Sequence, residues 1–303
     1  MKCLFTFLTF VVMANPLRAA IFTNSPDADA FVRSNAPTAN YGGAGSLSIS
    51  GSISTNTASG LTNGIADTFI RFNTAAMVSS FNSLFGANNW VISGAKLQVT
   101  EVGTPNNSIF DQGKGAFQIY WVADDTWTEG TGTPSIPTTD GIVFTNEPTL
   151  LTNTASLGTF TNTGTSVTLL FPLAVPPAFV SNAQADGEVT LFLTAIDSQI
   201  GFTFNSRSFG TVSGRPYLEI SAVPRPGITG ISLSRTNVIL TATNGAAGGT
   251  YYALTSRNAG LPLNQWTPVA TNVLNANGDF TITATNAANA SASLQQFFIL
   301  QTQ

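Results

Sequence analysis

Histidine is absent from this 303-residue chain, and charge of either sign is scarce: eleven Lys and Arg stand against fifteen Asp and Glu. The usual proton shuttle at neutral pH is therefore missing, and His-based triads, His-ligated zinc and His-assisted thiol chemistry are all excluded. The one cysteine, Cys3, lies near the start. Long apolar runs are missing too: no stretch approaches the ~20 residues that a helical membrane span needs.

The opening MKCLFTFLTFVVMANPLRAA carries one lysine, an apolar run from Leu4 to Ala14 and a small residue at Ala19. This is the pattern of a secretory signal peptide over residues 1–19, and the mature chain is expected to be secreted and extracellular or at the cell surface. Cys3 precedes the apolar run, which argues against a lipid-modified cysteine at the new terminus. Cleavage removes Cys3, Lys2 and Arg18, and leaves the protein without thiols and more acidic than the −4 of the full sequence. That balance disfavours nucleic acid and an anionic membrane surface as partners, and the lack of a long apolar run argues against membrane insertion.

What is present is alternation. Apolar and polar residues alternate with a period of two in AFVRSN, TFIRFN, GAKLQVTEV, GAFQIYWVADD, SVTLLFPL, GEVTLFLTA, GFTFNS and RPYLEIS. Clusters of Gly, Asn, Ser and Pro separate them, so the chain reads as all-β. One short helix is expected at TAAMVSSFNSLFG, over one end of the sandwich. AVPRPGITG interrupts the pattern, which gives a domain over residues 20–223, a Pro/Gly linker over 224–229 and a second domain over 230–303. The strand and turn signals of the second domain predict a small immunoglobulin- or fibronectin-like β-sandwich.

The stretches DAFVRSNAPTANYGGAGSLSISG, IRFN, ISGAKLQV, VADDTWTEGT and SRSFGTVSGRPYLEIS occur in an order and spacing that resembles the DNRLRE-type domain of secreted bacterial proteins, over residues 27–221. The resemblance implies a jelly-roll-like β-sandwich of the carbohydrate-binding module type, hence a non-catalytic protein with a polysaccharide or cell-surface glycan as partner. The family's naming string and a second tryptophan after Glu129 are not found. The last 75 or so residues, with GGTYYALTS, LPLNQWTPVATN and QQFFILQ, resemble a module that ends secreted proteins of Verrucomicrobia-like bacteria.

Three groups of residues then compete for roles. In DDTWTEG, Asp124, Asp125 and Glu129 surround Trp127, which suggests catalytic carboxylates beside a stacking ring. Neighbours in one bend rarely straddle a sugar, however, and the favoured reading is that Trp127 closes one end of the core while Glu129 or Asp124 accepts backbone N–H groups. Asp27 and Asp29 open the first strand on one face, and Glu219 on the last strand could join them around one structural calcium ion; turn capping by the two aspartates is the plainer alternative. Arg33, Arg71, Arg207 and Arg215 could combine into a fork-shaped receptor for uronic-acid carboxylates, with Tyr41 and Tyr217 as the exposed aromatics. Against this stands ordinary surface solubility, or pairing of an arginine with Glu219 or Glu101.

Two other functions remain open on the sequence. One is a structural or adhesive surface protein that uses the apolar terminal strand QQFFILQTQ. The other is a polysaccharide lyase or hydrolase that works through carboxylates.

Overall fold

A computed structural model of the chain describes residues 19–55, 60–102, 113–165, 167–185, 187–245, 248–274, 278–288 and 295–302. The leader assigned to residues 1–19 lies outside the described residues except for Ala19. The described chain separates into two compact units, one of residues 20–87 and 92–222, the other of residues 88–91 and 223–303. Both are all-β. No helix among the described residues is long and apolar enough to cross a membrane.

The larger unit contains two sheets. One has the order β1 (Ala20–Asn24), β11 (Tyr217–Pro224), β5 (Trp90–Thr100), β8 (Thr168–Leu173). The other has the order β10 (Gly201–Asn205), β3 (Ser46–Ser50), β4 (Ala66–Asn73), β9 (Glu188–Ala195), β6 (Ala116–Val122), β7 (Thr154–Thr161), and β2 (Pro26–Arg33) pairs with β4 as well. Phenylalanine joins them into a sandwich: Phe171 of the first sheet packs edge-on to Phe117 at 5.3 Å and to Phe202 at 6.5 Å in the second. Along β11 the buried Leu218, Ile220 and Ala222 alternate with half-exposed Tyr217, Glu219 and Ser221. The first sheet therefore has one wet face, as strict alternation requires.

The second sheet has no such wet face around β2, β4, β6 and β9. Its outer side carries Ala28, Ala30, Val32, Phe69, Val122 and Phe192, and these are covered by Trp127, Ile142 and Leu150 from the segment 123–153 that joins β6 to β7. A second small core lies there. Trp127 thus covers a sheet face instead of closing the end of the main core, although it is buried as expected.

Among the described residues there are three α-helices: α1 (Ala75–Phe85), α2 (Glu147–Leu150) and α3 (Pro177–Ala185). The first matches the one predicted helix and buries Met77 and Phe81. The third was not anticipated, because VPPAFVSNAQADG reads as a loop. Pro177 suits a first helical position, and Phe179 and Ala183, four apart, supply the buried stripe. The stretch assigned as a linker is largely strand, since β11 runs to Pro224 and β12 starts at Gly227. A proline at a strand's last position forfeits little pairing.

The smaller unit has two three-stranded sheets: β12 (Gly227–Ser234), β13 (Asn237–Gly245), β16 (Gly278–Ala284), and β15 (Thr267–Val273), β14 (Thr250–Ser256), β17 (Phe297–Thr302). Leu240, Ala253, Ile282 and Ala284 form its buried centre. The terminal strand β17 lies at a sheet edge.

Candidate functional site

The bend after β6 is built around carboxylate and amide caps. Asp124 Oδ1 accepts the backbone N–H of Thr126 at 2.9 Å and its hydroxyl at 2.6 Å, an Asx turn that starts the bend. Trp127 donates its indole N–H to Thr190 Oγ1 at 3.0 Å. Glu129 Oε1 accepts the backbone N–H of Asp29 at 3.0 Å, which caps the outer edge of β2. Both oxygens of Glu129 also receive the Arg207 guanidinium. Asn40 completes the joint: its Oδ1 accepts N–H from Gly42 and Gly132, and its Nδ2 donates to the carbonyls of Glu129 and Ile142. The chains approach so closely that a Cβ on Gly42 would meet the Glu129 backbone.

Asp29 is 1% exposed, and burial, the largest effect, pushes its carboxyl up to about 7. Its Oδ2 accepts the backbone N–H of Arg207 at 2.6 Å. The hydrogen bond that Arg207 donates to Glu129 pushes its guanidinium up beyond its ordinary range. Asp29 is too enclosed to touch a substrate, whereas the side chains of Glu129 and Arg207 keep 17% and 36% exposure and bond each other. Asp29, Glu129 and Arg207 together join β2, the bend after β6 and the start of the loop 206–216.

The sequence-derived arginines divide. Arg71 and Arg207 come together around Asp27, whose charge acts on Arg207. Arg71 spends Nε and Nη2 on Asp27 at 3.1 and 3.0 Å and Nη1 on the carbonyls of Asp125 and Trp127, and stands 5.5 Å over the Trp127 ring. Both guanidiniums are engaged by protein acceptors, with the Arg71 side chain 19% and the Arg207 side chain 36% exposed. Arg33 bonds the Asn63 carbonyl at 3.4 Å, and Arg215 bonds the Phe209 carbonyl at 2.7 Å. Tyr41, expected to be exposed, is buried and stacked on Phe31 at 4.7 Å. The ANYGGAG loop folds inward because Asn40 pins it. Tyr217 is half-buried on the wet face and donates to Gln98 Oε1 at 2.5 Å.

The three acids proposed for calcium do not converge. A register shift between Pro26 and Ala28 breaks the alternation that would align Asp27 with Asp29. Asp27 pairs with Arg71, Asp29 turns inward, and Glu219 belongs to the other sheet, where Lys96 Nζ holds it at 2.9 Å. Among the described residues no three acidic or cysteine side chains gather closely enough to hold a metal.

A cleft of about 650 Å³ opens where β3, β5, β8 and β10 meet the loop 206–216. Its walls include Ser46, Thr100, Thr168, Asn205 and Thr211, with the Phe209 ring among them. Thr100 and Thr168 hydroxyls bond each other at 3.1 Å across the mouth. Glu101 lies in the wall, but its carboxylate is capped by Asn162, Thr163 and the Gly164 N–H. Arg215 fixes the loop from behind through the Phe209 carbonyl. Phe209 was missed in the sequence because phenylalanine, with 22 copies, looks like core everywhere. The usable signal was SFGTVSG, a Gly/Ser-rich loop that carries two apolar residues, Phe209 and the 72% exposed Val212. A second cleft of about 360 Å³ lies on the 123–153 cover, but its Trp127 is buried.

Comparison with known proteins assigns the larger unit. Residues 20–222 match the family model of carbohydrate-binding module family 96. The chain belongs to this family. The matched span of this family 96 chain contains both sheets, the Glu129 joint and the 650 Å³ cleft. No curated protein matches the chain. Among solved structures, a β-D-glucuronidase from Dictyoglomus thermophilum aligns with 93% of the family 96 chain and 41% of its own length, at 8% identity and a TM-score of 0.24. The chain thus spans less than half of that enzyme.

Proposed function

We propose that the protein is exported and binds a polysaccharide without altering it, and that the cleft beside Phe209 is where the sugar sits. The observation that carries this reading is the cleft itself: Ser46, Thr100, Thr168, Asn205 and Thr211 line one space together with Phe209, in the unit that matches the family. Sugars present apolar C–H faces and polar rims, and such a wall offers a partner for each. The carboxylates nearby support a binding role over a catalytic one, because Asp29, Glu129 and Glu101 are all engaged by protein donors. Single-site affinity of this kind is weak, and repeated units along a polymer raise it by avidity.

Affinity electrophoresis through gels that each contain one polysaccharide tests the site. Phe209→Ala is expected to weaken retention about 5- to 10-fold, the value of one aromatic contact. Folded Arg71→Ala protein is expected to be retained like the parent, because that guanidinium is spent on Asp27. Equal retention of the Phe209→Ala and parent proteins, with loss in Arg71→Ala, would move the site to the arginines.

A further inference from the structure

Two acids with no part in the joint or the cleft are buried together beneath the cover. Asp67, on β4, is 3% exposed, and Glu147, the first residue of α2, is 7% exposed. Each has one oxygen, Asp67 Oδ1 and Glu147 Oε2, that is buried and takes no hydrogen bond. The Thr194 hydroxyl bonds Asp67. Burial raises both carboxyls above the ordinary range, and the charge of Asp67 adds to the effect on Glu147. Arg33, the residue after the Val32 that pairs with Asp67, lies opposite Ala66 and reaches the Asn63 carbonyl.

Adjacent buried carboxylates need something between them: a proton, or a cation that each can coordinate. Two orphaned oxygens, one per carboxylate, form an all-oxygen donor pair carrying two negative charges when ionised. A hard divalent ion matches both the charge and the donor type, and calcium accepts irregular geometry more readily than magnesium.

We propose that Asp67 and Glu147 are ligands of a divalent-cation site of calcium type that ties the cover segment to the second sheet. Water and backbone carbonyls complete the coordination. No third acidic or cysteine side chain joins the pair among the described residues. Affinity therefore falls at the weak end, about 10⁻⁴–10⁻³ M, as in many extracellular modules. The site is separate from the Asp27, Asp29 and Glu219 set read from the sequence, and it does not depend on glycan binding.

Thermal unfolding of chelator-treated full-length protein, titrated with calcium, magnesium or sodium chloride at matched ionic strength, tests it. At about pH 8 calcium is expected to raise the midpoint by about 3 °C or more at ten times its Kd, and magnesium by less. At about pH 5 protons compete and the shift shrinks. Asp67→Asn and Glu147→Gln are expected to lose the calcium response while remaining folded, because each removes a buried charge. Calorimetric titration of the unmodified protein should give one ion per chain. An unchanged midpoint with calcium at pH 8 overturns the proposal, as does an equal shift in both variants. A midpoint that falls as pH rises, falls less steeply in both variants and ignores calcium also overturns it and leaves a shared proton as the bridge.

Discussion

Glu129 does two jobs with one carboxylate: it caps the edge of β2 through the Asp29 N–H and neutralises Arg207. Its side chain is 17% exposed and that of Arg207 is 36% exposed, so solvent screens part of their attraction. Arg207→Ala leaves Glu129 with unmet acceptors and Asp29 without a nearby positive charge. A loss of about 1–3 kcal/mol is expected, measured as a lower urea midpoint. Asp29 gives the joint a pH signature. The unfolded carboxyl releases its proton near 3.8 and the folded one near about 7, so folding takes up a proton between those values. That contribution to stability is fully present below the lower value and is lost as pH rises through the upper one. Asp29→Asn should therefore show a shallower decline of the urea midpoint from about pH 5 to pH 8 than the parent.

The capping role of these acids was legible at this scale. DDTWTEG puts its carboxylates in one bend, and a bend is where backbone N–H groups need acceptors; the structure supplies Thr126 for Asp124 and Asp29 for Glu129. What could not be read was which distant residue completes the joint. Arg207 lies 78 positions away from Glu129, and nothing in local period or spacing links them. Tyr41 misled for the same reason: its loop looks exposed until Asn40 is seen to bind Glu129 and Ile142.

At the scale of elements, the cover segment 123–153 controls the second sheet. It is irregular and carries little periodic signal, yet it buries Trp127, Ile142 and Leu150 against Phe69 and Phe192. The strands beneath it read as alternating because their two faces bear different apolar sets, both buried. Trp127→Ala opens a cavity there and also removes the ring beneath Arg71. A loss of about 3–5 kcal/mol is expected in urea unfolding, with exposure of apolar surface to a dye such as ANS. The helix α3 escaped notice because its stripe is only Phe179 and Ala183, with Asn182 facing inward to take the Trp121 indole N–H at 2.7 Å.

At the scale of the whole molecule, two sheets with no thiols to bridge them depend on a phenylalanine-rich interior, and few charges remain for chemistry. The family 96 span provides the sandwich and the cleft, and Asp29, Glu129 and Glu101 each accept hydrogen bonds from protein donors there. Binding and cleavage are separable in one experiment. The purified full-length protein is incubated with a panel of polysaccharides; bound material is recovered, and new reducing ends and unsaturated uronates are assayed in the same samples. The expected result is retention of at least one polymer, weakened by Phe209→Ala, with no new ends and no unsaturated product. Release of shortened or unsaturated sugar that disappears in Glu129→Gln would contradict it.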